Sequence, residues 1–169
     1  MMTIIRLFFA AASATVFLFD TLDANEHYLL PEHNSDLIHT LKQKISRAQT
    51  ITIISGELQS PSLAASIEKA IADDRRLHLI TTDLNSAAYY AKYKNSIVKV
   101  PVSDPQAVTF SVSLLLIDES DICFSSLPFS EAVLRAQIGE VICTTNREDI
   151  DFGKRIKAAF MERFVDYSR

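Results

Sequence analysis

Apolar positions along this chain follow two rhythms, one of three- and four-residue steps and one of near-continuous β-branched runs. Leu37, Ile38, Leu41, Ile45 and Ala48 share one helical face while Lys42, Lys44 and Arg47 face water. That pattern predicts a helix N-capped by Asn34 or Ser35 and ending near Ala48, after a short extended lead-in over residues 26–33. Thr50–Ser55 (TITIIS), stopped by Gly56, predicts a strand. Ser60-Pro61 opens a second helix with Leu63, Ala64, Ile67, Ala70 and Ile71 on its buried face, closed by Asp73–Arg76. Leu77–Thr82 and Ile97–Val102 predict strands on either side of a short helix over Asn85–Tyr93, whose tyrosines at 89, 90 and 93 suit either packing or a surface groove. Thr109–Asp118 and Asp121–Ser125 form a hairpin about Asp118-Glu119-Ser120. Gln137–Thr144 adds a strand and Asn146–Tyr167 an amphipathic helix. This order implies an α/β fold, a mixed β-sheet flanked by helices on both faces.

The chain has 169 residues, 48% hydrophobic and 22% charged, enough for one globular core and too apolar for a disordered class. Its 17 Lys and Arg against 21 Asp and Glu give a net charge of −4, so no overall positive field gathers nucleic acid or anionic lipid. Leu7–Phe19, a 13-residue apolar run after Arg6, has the form of a secretory core and is short for a spanning helix of about 20 residues. Residues 1–24 are therefore expected to be a signal peptide or signal anchor and residues 25–169 the domain. The alternative is a buried N-terminal element. Removing residues 1–24 takes away Arg6, Asp20 and Asp23, moving the charge from −4 to −3. The expected location is exported, periplasmic or tethered by an uncleaved N-terminus, with no other membrane contact.

Two cysteines, Cys123 and Cys143, lie 20 residues apart without CxxC spacing, which argues against a metal site, and no cofactor motif is present. They are either a disulfide permitted by export or two packed thiols. His27, His33 and His39 fall in the lead-in and first helix and His78 in a strand, none within a catalytic motif.

The stretch Ser111–Ser126 (SVSLLLIDESDICFSS), with the elements around it, resembles the phospholipase D superfamily. Members carry H-x-K-x-x-x-x-D followed after six residues by G-S-x-N: the histidine attacks phosphorus, the lysine neutralises phosphoryl oxygens and a second histidine protonates the leaving group. Aligned on Asp118, Ser111 stands for the histidine and Ser113 for the lysine, Ser125-Ser126-Leu127-Pro128 for G-S-x-N, and Arg135-Ala136-Gln137 for a later N-x-E. Only Asp118 and Ser126 match. The resemblance implies a phospholipase D-like fold and, since single-motif members pair to complete a site, a homodimer or a related partner subunit.

Serine carries no charge at neutral pH and no base of its own, so the family's route to phosphoryl transfer should fail. Ser111, Ser113, Ser126 and Gln137, with Arg135 nearby and Asp118 at the hairpin corner, form the candidate vestigial cleft. Its serines either bind a phosphate-containing ligand or fill the space left by a lost site, and Asp118 by itself reads as the cap of its own turn. The leading expectation is a non-catalytic binding or scaffolding module. The alternatives are a phosphodiesterase (nuclease or phospholipid-processing) acting through non-standard residues or an intact partner subunit, and an envelope protein unrelated to phosphate.

Overall fold

The computed structural model describes residues 25–102, 108 and 110–167. The proposed N-terminal signal segment, residues 1–24, lies outside them. In chain order the elements are β1 (Glu26–Leu30), α1 (Asn34–Arg47), β2 (Thr50–Ser55), α2 (Pro61–Ala72), β3 (Arg76–Thr81), α3 (Leu84–Tyr90), β4 (Ser96–Val100), β5 (Ser113–Ile117), β6 (Asp121–Ser125), α4 (Glu131–Ala136), β7 (Gly139–Thr144), α5 (Arg147–Arg163) and β8 (Val165–Asp166). The strands form one sheet in the order β1-β7-β6-β5-β2-β3-β4-β8. β2, β3 and β4 run parallel through the helical crossovers α2 and α3, and every other pairing is antiparallel.

Helices cover both faces. On one face α1 to α4 bury Leu37, Leu41, Ile67, Ala87 and Leu134 against Ile51, Ile53, Leu79, Leu115 and Cys123 of the strands. On the other, α5 packs Ile150, Ile156 and Phe160 over Ile54, Ile80, Leu114, Leu116 and Ile122. The split follows the strand period: alternate residues of each strand point to opposite faces, so runs such as Leu114-Leu115-Leu116 feed both cores. The mixed α/β sheet that the element order implies is the one observed.

Several boundaries differ from the sequence expectation: α3 ends at Tyr90 rather than Tyr93, β4 at Val100 rather than Val102, and β7 starts at Gly139 rather than Gln137. The cap of α1 is His33, one residue before Asn34, and the His33 side chain accepts from the Leu29 N–H instead of capping. The last helix ends at Arg163; Phe164 turns extended, and Val165–Asp166 pair with β4. The strand expected over Thr109–Asp118 starts at Ser113, which leaves Ser111 in the bend before it. The short helix α4 had no clear signal, since its six residues bury Leu134 alone. Caps explain the rest: Ser60 accepts from Leu63 N–H with Pro61 in the first turn of α2, and Asn146 accepts from Glu148 N–H at the start of α5.

Candidate functional site

The strands β6, β5, β2 and β3 each carry a hydroxyl where their apolar run stops, and these hydroxyls lie side by side. Ser125 pairs with Ser113, the Ser113 hydroxyl donates to Ser55 Oγ at 3.3 Å, and Ser55 pairs with Thr81. All four are buried. Such burial is tolerable only if the polar atoms find partners, and they find them in the loops beyond the strands. Ser55 Oγ donates to the Glu57 carbonyl at 2.5 Å and accepts from Phe129 N–H at 3.0 Å. Thr81 Oγ1 donates to the Gly56 carbonyl and accepts from Asp83 N–H, while Ser125 Oγ accepts from Leu127 N–H. The row therefore ties the loops at 56–58, 82–83 and 127–129 to this end of the sheet.

Beside the row lies a depression of about 230 Å³ lined by Gly56, Glu57, Thr82, Val108, Phe110, Ser113, Ser126, Leu127 and Pro128. Ser113 and Ser126, two of the predicted cleft residues, meet here. Ser126 extends the ladder with its side chain: Oγ accepts from Glu140 N–H at 3.0 Å and donates to the Glu140 carbonyl at 3.3 Å. Phe110 forms a wall held from behind by Phe160 and Phe164, with ring centroids 5.2 and 5.9 Å away.

The other predicted residues stand elsewhere. Ser111 is exposed and outside the lining, because the strand that would have set it on the same face as Ser113 begins two residues later. Arg135 is exposed on α4 and paired with Glu131 one turn away, and Gln137 is the exposed C-cap of that helix. Neither lines the depression. Asp118 is at the opposite end of β5 from Ser113, about 17 Å along a strand rising about 3.3 Å per residue. Its carboxylate does not cap its own turn, as the sequence suggested. It accepts from Gln49 N–H at 2.8 Å and Thr50 N–H at 2.7 Å, stapling the end of β5 to the start of β2. The turn is made by the backbone: Asp118 and Glu119 hold φ of 50° and 57°, and Ser120 N–H donates to the Ile117 carbonyl.

None of the four histidines lines the depression, and among the described residues no cluster of His, Cys, Asp and Glu is fit to hold a metal ion. Sequence reasoning missed Ser55, Thr81 and Ser125. Their signal was present in the hydroxyl that ends each of the runs TITIIS, RLHLIT and DICFS. Beside the row, Cys123 and Cys143 are direct cross-strand partners on β6 and β7 and form a disulfide.

No protein-family model matches this chain, and no curated protein is similar to it in sequence. Solved structures are similar in fold. NucT from Helicobacter pylori superposes with a TM-score of 0.73 at 18% identity, covering 86% of this chain and 99% of that one. Nuc from Salmonella typhimurium, a phospholipase D family member, gives 0.70 at 11% identity over 87% and 99%. Phosphatidylserine synthase from Haemophilus influenzae gives 0.67 at 9% identity over 86% of this chain and 40% of that one. With the strand order and the two helical layers, these likenesses show that the chain has the phospholipase D-superfamily fold.

Proposed function

We propose that this chain is an exported phospholipase D-like domain that has lost phosphoryl transfer and acts as a binding or scaffolding module. The observation that carries the reading is the chemistry of the depression: among the described residues its lining has hydroxyls, apolar walls and Glu57, and no Lys, Arg or His. A phosphodiesterase of this fold needs a nucleophile with a base and cations for the phosphoryl oxygens. Ser113 donates to another serine and Ser126 bonds the Glu140 backbone, so neither hydroxyl is hydrogen-bonded to a base. Arg135, the cation expected nearby, is engaged by Glu131. This favours scaffolding over phosphate binding within the original expectation. The Cys123–Cys143 disulfide supports export, since such bonds persist in oxidising compartments. Leu29 and Ile138, 55% and 91% exposed at the β1–β7 edge, offer apolar surface to a second copy or a related subunit.

The second reading is a phosphodiesterase, either through unrecognised residues or with a catalytically intact partner, which the named activity of the phosphatidylserine synthase of similar fold keeps in view. Steady-state hydrolysis of a chromogenic phosphodiester in the presence of a chelator separates the two. The purified chain should show no turnover above the uncatalysed rate. Turnover that disappears in Ser113→Ala overturns the non-catalytic reading.

A further inference from the structure

We propose that the depression over Ser113 and Ser126 is an acceptor-only site for an organic cation, an alkylammonium or alkylguanidinium group, with its charge set against Glu57 and its stem against Phe110, Leu127 and Pro128. The proposal rests on the non-catalytic reading above and gives that site a ligand class. Among the described residues, the three hydroxyls on the lining each have their proton committed to the protein. Ser113 donates to Ser55 Oγ, Ser126 to the Glu140 carbonyl and Thr82 to the Gly56 carbonyl at 3.1 Å. A hydroxyl has one proton and two lone pairs, so these groups have only acceptor capacity left for a guest. A phosphate or carboxylate guest brings acceptors to acceptors. An ammonium or guanidinium brings three to five donors and no acceptor.

Charge points the same way. Glu57 is exposed, and among the described residues its carboxylate has no hydrogen bond or ion pair, so it stands at the depression as an uncompensated negative charge. An oxyanion is repelled where a cation is drawn. At about 230 Å³ the space is below the roughly 300–1,000 Å³ of pockets for drug-sized ligands, which suits one long side chain or a small amine. The Phe110 ring is pinned by Phe160 and Phe164, and a fixed aromatic face beside a carboxylate suits a cation on an aliphatic stem.

The same chemistry is supplied by a free amine or by an Arg or Lys side chain of a partner protein. Thermal unfolding of the full chain, at constant ionic strength, is to be followed against agmatine, a capped Gly-Arg-Gly tripeptide and inorganic phosphate. The proposal predicts a saturable rise in melting temperature with agmatine or the tripeptide and none with phosphate. The tighter of the two amines identifies the source. Glu57→Gln should weaken amine binding by about tenfold or more, the loss expected for one charged hydrogen-bonded contact, without moving the unliganded melting temperature. No saturable shift with either amine, an equal shift in Glu57→Gln, or a saturable shift with phosphate alone overturns the proposal. Hydrolysis measured on the same preparation keeps the two ideas apart. No amine binding with no hydrolysis removes only the ligand class, whereas hydrolysis removes the non-catalytic reading.

Discussion

Asp118 and Ser113 occupy the two ends of β5 and do unlike work. Asp118 holds two backbone N–H groups of the neighbouring strand, so its presence is explained by strand registration without catalysis. Asp118→Ala should cost about 1–3 kcal/mol, since it strands two donors and leaves a left-handed backbone without the short polar side chain that favours it. Asp118→Asn, which keeps an acceptor and tolerates that backbone, should cost less; urea midpoints of the two variants check the order. His78 offers a pH test. Burial pushes its imidazole below the usual histidine value, helped by Lys157 and Arg76 and opposed by Glu119. The native state thus resists a proton that the unfolded chain accepts, so stability should fall as pH drops below about 6.5 and be indifferent to this group above it. His78→Gln should flatten the melting-temperature profile over that acid range, and identical profiles would reject the assignment. The sequence placed Ser113 and Ser126 together, but it could not show that Ser111 falls in a bend, because strand boundaries depend on pairing with β2 and β6.

At the level of elements, α5 reaches the sheet through Gly153. A Cβ there would come within 2.1 Å of Ile122 Cδ1 and 3.4 Å of Leu114 Cδ1, both buried side chains. Gly153→Ala should therefore destabilise the chain by about 1–3 kcal/mol through overpacking, despite alanine's better helix propensity. A melting temperature above that of the parent would contradict this contact. The Cys123–Cys143 bond closes a span of 20 residues across β6, α4 and β7. Removing it with Cys123→Ala and Cys143→Ala should cost about 3 kcal/mol by the loop-closure relation, read as a lower urea midpoint that reducing agent does not lower further. Helix periodicity made α1, α2 and α5 legible because each has a long apolar stripe. α4 and β8 were not legible, being six and two residues long and fixed by tertiary contacts rather than by pattern.

Across the whole molecule, alternating strands and helices followed by a hairpin were enough to read a mixed sheet clothed on both faces. The parallel pairing of β2, β3 and β4 follows from their helical crossovers, and the antiparallel β5–β6 pair from its hairpin. The site was legible only in part. Ser111 and Ser113 can be read against a linear motif, but the row Ser125–Ser113–Ser55–Thr81 exists only once four strands lie in register. What the assembled sheet presents is the phospholipase D-superfamily fold with a depression whose lining, among the described residues, holds no Lys, Arg or His. A leaving-group burst tests that account most directly, because a nucleophile whose covalent intermediate breaks down more slowly than it forms releases about one equivalent of product before the steady state. Mixed rapidly with excess chromogenic phosphodiester and chelator, the chain is predicted to release none. One equivalent released per chain, and lost in Ser111→Ala or Ser113→Ala, would contradict it.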